Sequence, residues 1–212
     1  MTQAETSETK TMEYIKMRGG IVRAKDAAKE GICRQDLYSL RDKGLLRQRG
    51  RGVFQLEGGS YLVDKTILAV VALHYPHAVV CLKSALRFHG MTNEMTWDVS
   101  IAVQRGTHAP ALKFPKVEAH RFSGASFTEG IETHLINGVP VRVYSPEKTI
   151  VDCFRLMDRK GSGIYPGIAL EAFKMYIERG DPKISDICVH AKRMRTWDKI
   201  SPYVQMATHG MG

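Results

Sequence analysis

The sequence predicts an α+β protein in two parts, on three observations. Residues 9–43 carry three short helical patterns separated by glycines, and residues 46–56 have the pattern of a tight hairpin. After Ser60, alternating strand patterns are interleaved with helical ones, and helical patterns alone follow Lys160. We expect a small domain over residues 1–58. A larger mixed α/β domain over 59–212 should have a mostly antiparallel sheet and C-terminal helices.

Glycines set the limits of the N-terminal helices. Apolar residues at helical spacing or strong helix formers predict the helices, and Gly19-Gly20, Gly31 and Gly44 should end them, since glycine adopts the left-handed conformation that follows many helices. Residues 1–8 are polar and are expected to be frayed. The predicted helices are Thr9–Arg18, Ala24–Glu30 and Arg34–Lys43.

The third helix should have two different faces. Leu37 and Leu40 are three residues apart and form an apolar stripe that Leu45 continues, whereas most of the polar residues lie off that stripe. Leu46–Arg49 and Val53–Leu56 predict two strands joined at Gly50-Arg51-Gly52. This order of helix, turn, helix and basic hairpin predicts a winged helix-turn-helix.

A winged helix binds duplex DNA by placing its recognition helix in the major groove. Arginine pairs with guanine and glutamine with adenine, and residues near the helix N-terminus reach deepest. The hairpin forms the wing, and its arginines Arg47, Arg49 and Arg51 are spaced two residues apart. They should therefore lie on one side of a strand, where they suit phosphates, although the turn can rotate Arg51 out of line. Each arginine could also be solvated surface, and Tyr38 could simply pack over its helix. The expected DNA contacts are Arg34, Gln35, Tyr38, Ser39, Arg41, Lys43, Arg47, Arg49 and Arg51.

The charge distribution supports a polyanionic partner. The chain has a formal net charge of +9. Residues 14–56 hold eleven basic and four acidic residues, so this fifth of the chain carries +7 of that charge. A smaller basic cluster near the C-terminus is either a solvated helix end or a second DNA contact, and consists of Lys192, Arg193 and Arg195.

Other motifs in the chain predict no metal, cofactor or catalytic site. The four cysteines are far apart without zinc-type spacing, which favours buried reduced thiols. Pro76 interrupts the helix that would align His74 and His77 on a metal. A nuclease-like set of Asp98, Glu118 and Glu147-Lys148 can be drawn, but a glutamate at a helix start is explained by the helix dipole. We therefore expect a protein that is not an enzyme.

The same reading predicts a cytoplasmic protein with no membrane association. The polar N-terminus lacks the apolar segment of a signal peptide, and the longest apolar run, Thr66–Leu73, is too short to cross a bilayer.

In the larger domain, Asn137-Gly138 predicts a two-residue hairpin turn, and Ser145-Pro146 predicts the start of a helix.

Three segments resemble a known family, the AbiEi-type antitoxins of bacterial type IV toxin–antitoxin systems. They are GGIVRAKDAAKEGICRQDLYSLRDKGLLRQRGRGVFQL, VVCLKSALRFHGM and VPVRVYSPEKTIVDCF, and their order and spacing fit across most of the chain. The first is shared with many winged helices. The third, which includes Ser145, Lys148 and Asp152, is more particular to the family's C-terminal domain.

The resemblance implies that the winged helix binds inverted repeats in the promoter of its own operon and represses it. It also implies that the C-terminal domain neutralises a nucleotidyltransferase-type toxin, without stable binding. Lys148 and Asp152 could be part of an antitoxin surface. Alternatively, Lys148 belongs simply to the start of a helix and Asp152 is a buried, hydrogen-bonded aspartate. The alternatives are a winged-helix regulator with an unrelated partner-binding domain, and a metal-dependent DNA-processing enzyme.

Overall fold

Two compact units make up the computed structural model, which describes residues 3–57, 63–94, 98–107, 112 and 115–209. The first unit comprises residues 1–76, 111–115 and 134–141, and the second comprises 77–110, 116–133 and 142–212. The domain boundary after residue 58 stays a prediction, because residues 58–62 lie outside the described part. The helix that follows them groups with the first unit.

The first unit begins with three helices and a three-stranded antiparallel sheet of order β1-β3-β2. This arrangement agrees with the predicted winged helix-turn-helix. The first helix starts earlier than expected, so residues 3–8, predicted to be frayed, are helical. The elements are α1 (Gln3–Met17), β1 (Ile21–Arg23), α2 (Ala24–Lys29), α3 (Arg34–Asp42), β2 (Leu46–Gly50), β3 (Val53–Leu56) and α4 (Val63–His74).

Two glycines end α2 and α3 in the same way. Gly31 and Gly44 have φ angles of +80° and +74°, a region that favours glycine. The amide of Ile32 donates to the Ala27 carbonyl, and that of Leu45 donates to the Leu40 carbonyl. These bonds close the helix ends and turn the chain back toward the core. The predicted helix limits at Gly31 and Gly44 are therefore confirmed.

Leucines of α3 form part of the core of the first unit. Leu37 and Leu40 are buried together with Phe54 of the hairpin. Helix α1 contributes Ile15 and β1 contributes Val22. Leu37 and Leu40 of the apolar stripe predicted on α3 thus face the core, and this leaves the opposite side of the helix open. The prediction that Leu45 continues the stripe is wrong, because Leu45 follows the turn at Gly44 and is 46% exposed.

The rest of the chain contributes a five-stranded sheet and six helices to the part that is described. The strand order is β6-β5-β4-β8-β7. The β4–β8 and β5–β6 pairs are parallel and β4–β5 is antiparallel, so the sheet is mixed rather than mostly antiparallel. The elements are β4 (Val79–Val80), α5 (Leu82–Phe88), β5 (Val99–Gln104), β6 (Val117–Phe122), α6 (Ala125–Thr128), β7 (Ile131–Ile136), β8 (Val139–Tyr144), α7 (Pro146–Leu156), α8 (Pro166–Ile177), α9 (Ile184–Arg193) and α10 (Trp197–His209).

The α+β class and the helices after Lys160 are confirmed. The connection through α5 joins the antiparallel pair β4–β5, whereas the parallel pairs are β5 with β6 and β4 with β8, which lies about 60 residues further along the chain. Asn137 and Gly138 both have positive φ, as the predicted two-residue hairpin requires. None of the helices in the described residues combines the length and apolar character that a membrane-spanning segment requires.

Helix α7 lies at the centre of the second unit. Its first turn is capped by Ser145, whose side chain accepts a hydrogen bond from the Lys148 amide at 3.2 Å, and Pro146 occupies the first helical position. Ile150, Val151 and Phe154 are fully buried in the core. The start of this helix is as predicted.

Charged side chains of α7 are buried with the apolar ones. Lys148 and Asp152, one turn apart, form an ion pair in which both side chains are fully buried. Arg155 donates twice to the other carboxylate oxygen of Asp152, at 2.7 and 3.1 Å. The Lys148 ammonium also donates to the Ser126 carbonyl and lies 4.3 Å from the centre of the Tyr144 ring. Burial lowers the pKa of Lys148, and the Asp152 carboxylate opposes that effect.

Loss of the Asp152 charge is therefore expected to destabilise the protein more than loss of the Lys148 charge. In Asp152→Asn, the buried ammonium loses its counter-ion, at a cost of about 3–5 kcal/mol in the free energy of unfolding. In Lys148→Met, Asp152 keeps its two bonds from Arg155, so the loss should be smaller. Urea unfolding of each variant measures the difference.

The exposed pair Lys174 and Glu178 on α8 supplies the control, because its atoms are 3.8 Å apart and both side chains are largely in solvent. Lys174→Met should change the free energy of unfolding by less than about 0.5 kcal/mol. A larger loss in Lys148→Met than in Asp152→Asn would contradict this account of α7.

Candidate nucleic-acid interface

The exposed side of α3 begins with Arg34 and Gln35. Both side chains are exposed in the first turn of the helix, where a recognition helix reaches deepest. Neither makes a hydrogen bond or ion pair within the described part of the chain. Leu37, on the opposite side, is fully buried. The two residues predicted to read bases are therefore presented to solvent.

Tyr38 and Arg41 connect α3 to the hairpin. The Tyr38 ring meets the Phe54 ring edge to face, with centroids 5.2 Å apart, and is still 39% exposed. The Arg41 guanidinium lies 4.8 Å from the centre of the Tyr38 ring and donates to the Gln48 side-chain oxygen at 3.1 Å. Tyr38 thus packs and remains accessible. Gln48, which the sequence did not indicate, lies on the hairpin face that meets α3.

Ser39 and Lys43, also predicted DNA contacts, are bonded to α1. The Ser39 hydroxyl and the Lys43 ammonium each donate to one carboxylate oxygen of Glu8, both at 2.6 Å. These bonds, first that from Lys43, lower the pKa of Glu8. On the same helix, Asp36 accepts from Ser7 and Thr11 of α1. Ser39 and Lys43 therefore position α3, and the early start of α1 makes this possible.

The arginines of the hairpin differ from one another in their partners. Arg47 pairs with Glu57, and Arg49 donates to the Gln55 side-chain oxygen at 2.7 Å. Because Arg47 lies opposite Gln55 in the ladder, both arginines share one sheet face, as predicted. The register shifts between Gln48 and Gly50, which bulges the strand at Arg49.

Arg51 lies apart from that pair, at the tip of the hairpin. Its side chain is exposed, and it makes no hydrogen bond or ion pair within the residues that the structure describes. Arg47 and Arg49 each donate to a protein partner through Nε, and Glu57 balances the charge of Arg47, whereas the whole guanidinium of Arg51 faces solvent. The expectation that the turn takes Arg51 out of line agrees with its position at the tip.

The end of α4 supports the hairpin turn. Arg23 donates to the Leu73 carbonyl at 2.6 Å. The ring of His74 lies so close to Gly50 that a Cβ atom there would be 2.6 Å from Nε2. This nitrogen is buried and has no hydrogen-bond partner among the described atoms. Burial lowers the pKa of His74, and the Arg23 charge adds to that effect.

The second basic cluster does not act as one group. The Lys192 ammonium lies 5.4 Å from the centre of the Trp197 ring, and Arg193 pairs with Glu129 at 3.1 Å. Arg195 is exposed and has a positive φ of 53°. Arg193 and Arg195 line a common cavity, whereas Lys192 does not.

Lys148 and Asp152, the two residues proposed to mark an antitoxin surface, are fully buried and form no surface themselves. The alternative given above, a buried and hydrogen-bonded Asp152, describes what the structure shows.

The nuclease-like and histidine arrangements are not assembled into a metal site in the described residues, where no group of three or more His, Cys, Asp or Glu side chains is placed to hold a metal ion. Asp98 pairs with Lys116 at 2.6 Å, and Glu147 accepts from the buried Tyr176 hydroxyl.

Of the four cysteines, Cys81 and Cys153 are buried and Cys188 is half-buried. Cys33 is exposed, contrary to the expectation of buried thiols.

Acidification is expected to destabilise the protein, partly through His74. A folded-state pKa below the unfolded value of 6.5 means that the unfolded chain binds the proton first. The stability is therefore full above pH 6.5 and falls as the pH drops from 6.5 toward the folded pKa. His74→Phe should reduce that loss, by up to about 1.4 kcal/mol per pH unit.

Thermal or urea unfolding between pH 7 and pH 5 measures this slope. Burial also lowers the pKa of His120 and His190, so the variant should reduce the slope and leave part of it. His77, exposed and three residues further on, provides the control variant His77→Phe. An unchanged slope in His74→Phe would show that the ring beside Gly50 does not titrate in this way.

The chain was compared with solved protein structures. The RV2827C protein from Mycobacterium tuberculosis superposes with a TM-score of 0.63 at 14% sequence identity, over 95% of this chain and 77% of that one. This likeness shows a shared fold. An antigenic nucleotidyltransferase-like protein from Paracoccidioides brasiliensis gives a TM-score of 0.39 at 15% identity, over 67% of this chain and 92% of that one. No curated protein sequence matches the chain significantly.

The N-terminal segment matches a known family. Residues 10–56, from α1 to the end of β3, fit the family described as transcriptional regulator, AbiEi antitoxin. These residues include α3, the hairpin and every predicted DNA contact outside the C-terminal cluster. The resemblance seen in the sequence is confirmed as a match to this family over residues 10–56.

Proposed function

We propose that this protein is the antitoxin of a type IV toxin–antitoxin system and represses its own operon by binding inverted repeats in the promoter. The observation that carries the DNA-binding part is the exposed side of α3. Arg34 and Gln35 extend from its first turn while Leu37 and Leu40 hold its other side in the core. The family match over residues 10–56 supports the same assignment.

In this account α3 enters the major groove and the hairpin lies beside it. Arg34 has the donor geometry for guanine and Gln35 that for adenine. Arg41 and Gln48 fix the hairpin against α3, so the two elements would approach the duplex together. Arg51 at the tip would contact phosphate or the minor groove, without reading sequence from the major groove. Such a regulator acts in the cytoplasm and performs no catalysis.

Binding to the promoter fragment upstream of the gene should weaken steeply as salt rises, because phosphate contacts release counter-ions. Arg34→Ala or Gln35→Ala should cost about 1–3 kcal/mol on the preferred repeat and relax the preference at one base pair. Arg51→Ala should weaken binding to every sequence alike. Fluorescence anisotropy with promoter and scrambled duplexes separates the two effects.

Two control variants sharpen this test. Arg47→Ala should have a smaller effect than Arg51→Ala, because Arg47 is already paired with Glu57. Lys174→Ala, in the second unit, removes the same charge far along the chain from α3 and should leave binding unchanged. Equal losses in Lys174→Ala and Arg51→Ala, or no shift of the promoter at low salt, would contradict the proposal.

Neutralisation of the toxin should be separable from DNA binding. We expect the double variant Arg34→Ala/Arg51→Ala to lose promoter binding and still rescue growth when a nucleotidyltransferase encoded beside this gene is expressed. The rescue should occur without stable co-purification. A double variant that binds no promoter and rescues no growth would contradict the division of roles, and a 1:1 complex would favour a partner-binding regulator instead.

A further inference from the structure

An open cavity of about 580 Å³ lies in the second unit, bordered by α6 and by the turn between α9 and α10. Its volume is within the range of small-molecule sites. The side chains that define its chemistry are three arginines and two serines, with Met194 as an apolar patch. They are Arg155, Arg193, Arg195, Ser123 and Ser126.

The charge around this cavity favours an anion. Arg155 is bonded to Asp152 and Arg193 to Glu129, so those two cations are balanced within the protein. Arg195 has no such partner in the described residues, and Lys148 adds a further positive charge behind Ser126. Four cations against two carboxylates leave an excess of two positive charges. Guanidinium groups at this density suit phosphate, which they bind through two parallel hydrogen bonds.

The floor of the cavity is held in place before any ligand arrives. The Ser126 carbonyl accepts from the Lys148 ammonium at 3.2 Å and the Phe127 carbonyl accepts from the Tyr144 hydroxyl at 2.8 Å. Ser126 in turn donates to the Ser123 carbonyl at 2.7 Å. The two carboxylate bonds of Arg155 fix its guanidinium, which also lies 4.8 Å from the centre of the Phe122 ring. A fixed binding group loses little entropy when a ligand binds.

Arg195 occupies a backbone position that suits glycine. It is the second residue after α9 and follows the C-cap residue Met194, with φ +53°, and the Thr196 amide donates back to the Ala191 carbonyl at 2.8 Å. This is the helix ending in which glycine is usual, because a side chain is strained there. The chain nevertheless places an arginine at this point, with its side chain exposed and bordering the cavity. Arg195 keeps this backbone strain although its side chain has no hydrogen-bond or ion-pair partner among the described residues. This points to a role for the side chain in binding rather than in stabilising the fold.

We infer that this cavity binds the phosphate chain of a nucleotide or of free polyphosphate, with Arg195 as the main contact and Arg155 and Arg193 beside it. The site lies in the second unit and uses no residue of α3 or the hairpin. The inference therefore stands independently of the promoter binding proposed above.

Calorimetric titration of the full-length protein tests this, with ATP, inorganic tripolyphosphate, adenosine and a short duplex of scrambled sequence as probes. ATP should bind and adenosine should not. Tripolyphosphate binding as tightly as ATP would identify free polyphosphate as sufficient, and weaker binding would identify a nucleotide. Both results support the site.

The variant Arg195→Gly should weaken ATP binding about tenfold, which corresponds to the loss of one charge-assisted hydrogen bond. Because glycine relieves the strained backbone, its Tm should be unchanged or higher, and a folding defect cannot then explain the loss. Arg195→Lys keeps the positive charge but loses the planar guanidinium, so its affinity for ATP should lie between that of the wild type and that of Arg195→Gly. Lys192→Ala, in the last turn of α9 but outside the cavity, should bind ATP as the wild type does.

Three results would overturn the inference. The first is no binding of ATP or tripolyphosphate at millimolar concentration. The second is equal binding by Arg195→Gly and the wild type. The third is Arg195-dependent binding of the duplex alone, which would assign this arginine to a DNA surface instead.

Discussion

The candidate DNA interface depends on the burial of Leu37 and Leu40 of α3 against Phe54. Because these leucines face the core, the helix has only one way to be oriented, and that orientation places Arg34 and Gln35 in solvent. The hairpin is tied to the same contact, since Tyr38 packs on Phe54 and Arg41 bonds to Gln48. The apolar contact of Leu37 and Leu40 with Phe54 thus holds α3 and the hairpin together as a single surface.

The sequence predicted the features that are encoded over a few neighbouring residues. The leucine spacing on α3, the glycines at 31 and 44 and the hairpin at Asn137-Gly138 were all predicted, because each is a local backbone or periodicity requirement. The partners of individual polar side chains were not predictable in this way. Glu8 lies more than 30 residues from Ser39 and Lys43, and no local pattern shows that its carboxylate would bond to both.

The second unit illustrates the same limit. The sequence left open whether Lys148 and Asp152 mark a surface or whether Asp152 is buried and hydrogen-bonded, and in the structure both side chains are fully buried. Their burial follows from how α7 packs in the core, a tertiary property. Likewise, Arg193 and Arg195 appear in the sequence as part of a basic run, but only the fold separates them from Lys192 and places them beside Arg155 at one cavity.

NMR can show whether α3 and the hairpin bind the promoter together. The measurement is the change in backbone amide shifts of the labelled full-length protein when the promoter duplex is added. If α3 and the hairpin contact the duplex, the largest changes are expected over residues 34–42 and 46–53, centred on Arg34, Gln35 and Arg51. Changes confined to the second unit, or none at a duplex concentration that gives binding by anisotropy, would contradict this joint binding.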